Sequence, residues 1–254
     1  MNALAHTSPP PMSSPSPELE HERKFQPSRE ALDAFLKDIR SWTAPCVYDS
    51  GLPFAFTRTT YFDTDGLDFL GSCRAGRAQR LRLREYAGTA DLALPPVLSG
   101  ARFLELKKNT GARRSKVRVA LSADEAAALL SGGLPHEGSA AALLLRQLPH
   151  APVKPWVTAW YRRGTHMTHD AGVRITVDED LVFALPPERS ALGEPAAPSR
   201  LLERAPAILL EVKWRGSTPS WLEGLFWRLE PFETRGSKFE QGMRARFASA
   251  SSTQ

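Results

Sequence analysis

From Gln79 to Tyr86, Arg80, Arg82 and Arg84 alternate with Leu81, Leu83 and Glu85. Alternation with period two marks a β-strand, because successive strand side chains leave on opposite faces. Three guanidiniums therefore line one face. Like charges in register repel one another, and an unpaired buried charge costs several kcal/mol per group, so such a strand is costly unless a polyanion lies along it.

The same pattern recurs along the chain. Glu20, Glu22 and Lys24 share one strand face; Phe103, Glu105 and Lys107 oppose Leu104 and Leu106; Lys116 and Arg118 oppose Val117 and Val119. Further on, Tyr161 falls with Arg163, Arg174 with Thr176 and Asp178, and Glu211 with Lys213 opposite Ile208, Leu210, Val212 and Trp214. A half-exposed sheet also sets charge against core, but here the charged faces are dominated by Arg rather than by a Lys/Glu mixture. The expected fold class is α+β: a closed antiparallel β-barrel with its charges inward as a basic tunnel and helices packed outside on the apolar face. Lys and Arg outnumber the carboxylates on these faces. A linear polyphosphate or a nucleoside triphosphate would supply the missing negative charge, and the carboxylates would hold a divalent cation.

A chain of 254 residues with formal charge +5 suits an anionic ligand and can bury the core of a single domain, expected over residues 18–247. Residues 1–17 are Pro/Ser-rich and read as a disordered leader, and the Ala/Ser-rich residues 248–254 as a disordered tail. Two cysteines give no disulfide framework or metal-type spacing. No stretch has the length and apolarity of a membrane span, and the expected location is cytoplasmic. Nucleic acid is not an expected partner, because the arginines read as interior and no nucleic-acid motif is present. Helices are expected over Ser28–Trp42 with Ser28 as N-cap, Ser122–Leu130 with the capping-box pair Ser122 and Glu125, Ser139–Leu148, Pro219–Leu229 and Ser237–Phe247. Residues 183–205 read as a long loop. His166 and His169 read as hairpin-loop residues, and Trp214, Trp221 and Trp227 as packing residues.

Glu20-His21-Glu22-Arg23-Lys24 has the ExExK spacing of the triphosphate tunnel metalloenzymes. More narrowly, the chain resembles the VTC-type polyphosphate polymerase domain in Glu22 to Phe25, Thr60 to Thr64, Arg82 to Tyr86, Glu105 to Lys107, Tyr161 to Arg163, Val173 to Asp178, Leu210 to Lys213 and Ser237 to Phe239. The resemblance implies an eight-stranded tunnel in which Lys24, Arg82, Arg84, Lys107, Arg163, Arg174, Ser237 and Lys238 contact phosphate. It also implies that Glu211 holds Mn²⁺ or Mg²⁺, and that a further lysine follows the Glu-Leu-Lys strand, with Lys116 the candidate and Arg118 the alternative. Glu20 and Glu22 either join the metal or pair with basic neighbours; Arg80 is either a rim charge or a ligand contact. Glu105 and Asp178 read as partners that orient nearby cations. The implied substrates are ATP or another nucleoside triphosphate and polyphosphate, and because VTC-type domains serve a membrane complex, a membrane-protein partner at whose periphery the domain sits. Three functions stay open: transfer of the terminal phosphate of ATP to a growing polyphosphate, triphosphate or polyphosphate hydrolysis, and non-catalytic polyphosphate binding.

Overall fold

The computed structural model describes residues 21–48, 50–89, 94–110, 113–148, 152–188, 197–198 and 200–251. The expected leader, Glu20 and residues 252–254 lie outside them. In chain order the elements are β1 (His21–Phe25), α1 (Arg29–Asp38), β2 (Ala44–Pro45), β3 (Phe54–Asp63), α2 (Asp68–Arg74), β4 (Gln79–Gly88), β5 (Val97–Thr110), β6 (Arg113–Ala120), α3 (Ala123–Leu130), α4 (Ala140–Arg146), β7 (Lys154–Met167), β8 (Val173–Ala184), β9 (Leu201–Arg204), β10 (Leu209–Trp214), α5 (Ser220–Leu229) and α6 (Lys238–Ser251).

The ten strands form one antiparallel sheet in the order β1-β10-β8-β7-β3-β4-β5-β6, with β2 paired to β7 and β9 to β8. This corrects the expected closed eight-stranded barrel. Among the described residues β1 and β6 do not pair, so the sheet ends in two edges. Both edge strands carry charge, Lys24 on β1 and Lys116 and Arg118 on β6, a feature that disfavours pairing at a sheet edge.

The sheet is nevertheless strongly curved. Flat, β5 and β10 would lie about 24 Å apart at a spacing of about 4.8 Å per strand, yet Lys107 on β5 responds to the charges of Lys213 and Glu211 on β10. The Arg84 guanidinium of β4 likewise reaches over β3 to donate a 2.9 Å hydrogen bond to the Tyr161 hydroxyl of β7. The charged face is thus concave, a trough rather than a tube.

Helices cover the apolar side. Leu32 and Phe35 of α1 and Leu222, Leu225, Phe226 and Leu229 of α5 pack against Phe25, Ile175, Leu210 and Val212. Full burial of each such side chain contributes roughly 1.5–3 kcal/mol. Ser28 caps α1 by accepting from the Ala31 N–H at 3.2 Å. At α3 both capping-box bonds are made, Glu125 N–H to Ser122 at 3.1 Å and Ser122 N–H to Glu125 at 2.9 Å. α3 and α4 cover Leu104 and Leu106 through Leu129, Leu130 and Leu144.

Helix α6 is placed differently. Its first turn enters one end of the concave face, where Phe239 lies 5.4 Å from Tyr61 between ring centroids. Gly242 permits this approach, because a Cβ there would meet Phe183 at 2.9 Å and Val157 at 3.0 Å. The helix runs to Ser251, past the end at Phe247 expected from the sequence. Other expectations also change: β9 occupies part of the 183–205 segment, His166 lies within β7, and Trp227 is 77% exposed instead of packed.

Candidate anion-binding site

Strand register brings most of the expected site residues onto the concave face. On β4 and β5, Arg82 stands opposite Glu105 and Arg80 opposite Lys107, and β6 sets Lys116 opposite Lys107 and Arg118 opposite Glu105. On the other side, β8, β10 and β1 align Thr176, Glu211 and Lys24 in one row and Arg174, Lys213 and Glu22 in the next.

The wall formed by β4, β5 and β6 holds six cations, five of them around Glu105 and the sixth, Arg80, 3.8 Å from Glu240. Arg82 donates to Glu105 through Nε at 2.8 Å and Nη2 at 2.6 Å, while Lys116 Nζ and Arg118 Nε lie 3.0 and 3.5 Å from its other oxygen. Burial alone would raise the Glu105 carboxyl, but Arg82, Arg84, Lys116 and Lys107 hold it far below the ordinary carboxylate range. The charge of Arg82, together with burial and Lys213, pushes the Lys107 ammonium well down. Both candidates for the additional phosphate contact, Lys116 and Arg118, therefore converge on Glu105. Two donors on this wall remain unused: Nε of Arg80 and of Arg84 is buried with no acceptor among the described residues.

The opposite wall is closer to balance. Lys24 lies 2.6 Å from Glu22, and Lys213 lies 2.8 Å from Glu22 and 3.5 Å from Glu211. Arg163 grips Asp178 through a fork of 2.6 and 2.7 Å, and Lys238 donates to the same carboxylate at 2.5 Å. Burial opposes ionisation of Glu211, but Lys213, Arg163, Lys24 and Lys107 lower it well below the usual range. Ser237 caps α6, accepting from the Glu240 N–H at 3.3 Å and donating to its carboxylate at 2.5 Å. Arg174 is exposed at the end of its row.

Between the walls sits Tyr161, buried, its hydroxyl held by Arg84 and 3.3 Å from Thr59, with Lys238 4.7 Å from its ring centroid. Burial disfavours the phenolate, but Arg84, Arg163 and Lys238 bring the hydroxyl from 10.0 down to about 8. Tyr161 and Lys213 were not among the expected contact residues. Their signal was in the alternation, Tyr161 two residues before Arg163 and Lys213 two after Glu211.

The donor set bears on the expected divalent cation. No group of three or more His, Cys, Asp or Glu able to hold a metal occurs among the described residues. Glu22 and Glu211 do come close enough for the Glu211 charge to act on Glu22. Two carboxylates fit a hard cation that takes its remaining oxygens from water and substrate phosphate, the usual habit of Mg²⁺. They would not make an all-protein cage.

The fold and site together define a cation-rich trough: a concave antiparallel sheet whose cations outnumber its carboxylates, with Glu22 and Glu211 close together on one wall. The family model for the VTC domain matches residues 20–247, and the chain belongs to that family. No curated protein sequence matches it. Among solved structures, a proposed adenylate cyclase from Bacillus halodurans shares the fold, with a TM-score of 0.52 and 18% identity over 88% of this chain and 97% of that one. A proposed adenylyl cyclase from Hippeastrum with dominant triphosphatase activity aligns with a TM-score of 0.48 and 13% identity over 90% of this chain and 96% of that one. No helix among the described residues is long and apolar enough to cross a membrane.

Proposed function

We propose that the protein is a polyphosphate polymerase that transfers the terminal phosphate of ATP to the end of a growing polyphosphate chain. The observation that carries this reading is the pair of buried guanidinium N–H donors, Nε of Arg80 and of Arg84, left without acceptors among the described residues on the concave face. Buried polar groups are ordinarily satisfied, and a phosphate chain offers acceptors and negative charge along the whole row.

In this reading Arg82, Arg84, Lys107 and Lys116 on one wall, and Lys24, Arg163, Arg174, Ser237 and Lys238 on the other, hold the triphosphate and the acceptor end in line. A terminal oxygen of the acceptor attacks the γ-phosphorus, the bond from that phosphorus to the β-phosphate oxygen breaks, and ADP leaves. The acceptor is already an ionised phosphate, so no strong general base is required. Positioning and neutralisation of the charge on the transferring group account for the rate. Glu211, with Glu22 beside it, would hold Mn²⁺ or Mg²⁺, which when bound screens the phosphate oxygens against one another. Tyr161 donates a hydrogen bond to a phosphate oxygen or, ionised, tethers Arg84 and Lys238 between substrates.

Incubation of the full chain with ATP and Mn²⁺ or Mg²⁺, followed by gel electrophoresis and phosphate release assays, tests this. Long chains are expected. Orthophosphate without chains would make the protein a triphosphatase or polyphosphatase, and polyphosphate binding without turnover would make it a binding module.

A further inference from the structure

The arginine row of β4 does not end in a charge. Two residues beyond Arg84 the same face carries Tyr86, and directly across from Arg84 on β5 stands Phe103. Their rings meet edge to face, with centroids 6.2 Å apart at 76°. The Arg118 guanidinium lies over Phe103 at 3.5 Å and over Tyr86 at 5.9 Å from the ring centroids, and donates to the Tyr86 hydroxyl at 3.1 Å. Phe103 faces only Ala120 on the edge strand β6, which leaves room on that side.

Phe103 and Tyr86 join none of the three hydrophobic clusters, and both are only partly buried. Two rings that contribute to no core, set at the end of a cationic row, require another explanation. We propose that Tyr86, Phe103 and Arg118 form a nucleobase-stacking subsite, which holds the nucleoside end of a nucleoside triphosphate while its phosphates run along Arg84, Arg82 and Lys107. This assignment rests on the phosphate-binding reading above and adds to it the orientation of the nucleotide.

Orientation follows from the two ends of the row. At one end Arg80 approaches Glu240 of α6 at 3.8 Å, and α6 occupies the concave face there. At the other end lie the aromatic residues, Phe103 about 7 Å and Tyr86 about 13 Å along the strands from Arg82 at about 3.3 Å of rise per residue. A flat base with a trailing triphosphate matches that order of surfaces. Every base has a π-face, and stacking on aromatic rings or on a guanidinium plane is tolerant of base identity. Selection should therefore favour purines for their larger face while separating ATP from GTP poorly.

The test compares ATP with inorganic tripolyphosphate, which shares the phosphates and lacks the base, by titration calorimetry of the full chain. Phe103→Leu should weaken ATP binding about tenfold and change tripolyphosphate affinity less than twofold; Phe103→Trp, which keeps a π-face, should retain ATP affinity within twofold. Unchanged ATP affinity in Phe103→Leu overturns the subsite, as does an equal fall for both ligands, which would make Phe103 a structural residue. Failure of the wild-type chain to bind either ligand removes the phosphate reading and the subsite with it, whereas normal tripolyphosphate binding with no effect of Phe103→Leu on ATP removes the subsite alone. Circular dichroism of each variant establishes that it is folded, and should Phe103→Leu not fold, Tyr86→Leu takes its place with the same expectations.

Discussion

The two walls of the trough use the same residue types to different ends. Around β4, β5 and β6, Arg82, Arg84, Lys107, Lys116 and Arg118 gather about Glu105 while Arg80 reaches towards Glu240, whereas across the trough Lys24, Lys213, Arg163 and Lys238 face Glu22, Glu211 and Asp178. One wall has an excess of positive charge, and the other is nearly neutralised by its own carboxylates. A surplus of cations suits an anionic ligand, whereas a balanced wall is held together by its own ion pairs. Removing a charge should therefore have opposite consequences on the two sides.

The largest difference is expected in stability. Asp178→Ala strands the Arg163 and Lys238 charges and should cost about 3–5 kcal/mol, as breaking a buried pair does. Arg84→Met keeps the aliphatic bulk and removes a cation from the crowded wall, and should leave stability within about 1 kcal/mol. Triphosphate affinity moves the other way, with Arg84→Met expected to lose about tenfold through one charge-assisted hydrogen bond. Urea unfolding and tripolyphosphate titration of both variants check the contrast; equal destabilisation would mean that the walls are equivalent.

Next in size is the effect of Glu211→Gln, which retains shape and removes the charge that would hold a divalent cation. Metal-dependent turnover should fall about 100-fold, close to 2.7 kcal/mol at about 1.36 kcal/mol per decade, with the fold intact. A Mn²⁺ titration that gives wild-type rates would move the metal off this wall.

The smallest effect is a pH dependence at Tyr161, where the walls meet. Burial opposes its ionisation, but the neighbouring cations set the folded value at about 8, below the ordinary 10.0. Between those values the unfolded chain binds a proton that the folded chain does not, so stability rises as pH increases from about 8 to 10 and this contribution is lost as pH falls through 8. Lys107, also shifted down, acts in the same direction. Thermal melts of ligand-free wild type and Tyr161→Phe across this range should show a steeper alkaline rise in the wild type, and parallel curves would remove the phenolate.

Much of this was legible in the sequence because period-two alternation assigns each side chain to a face. Arg82, Glu105, Arg163, Glu211 and Lys24 share the concave face as expected. What alternation cannot report is whether the two edges meet, which depends on accumulated curvature and on the charges they carry. It also conceals polar groups on the other face. Glu85, in step with Leu81 and Leu83, lies buried between Arg58 at 2.6 Å and Arg102 at 3.5 Å on the leucine side. Arg58 and Arg102 fall on different strands with no local pattern to join them. Helix α2 was missed for a similar reason. Its first turn is held by the Asp63 carboxylate, which accepts from the Phe69 and Leu70 N–H groups at 2.9 and 3.0 Å, while Leu67 at the cap position has φ of 58° and bonds nothing through its side chain.

Within the arginine row, Arg82 donates through two nitrogens to one Glu105 oxygen, so the row is partly compensated by a carboxylate of its own wall.

The unpaired edges at β1 and β6 have a topological consequence for any long ligand. A closed ring can be entered only by threading a free end, so a polymer many times longer than the protein must find that end first. An open groove admits the middle of a chain sideways and releases it the same way, so residence on one strand is governed by how many contacts must break at once and not by how far an end must travel. For a long polyanion, that makes dissociation a matter of ionic strength.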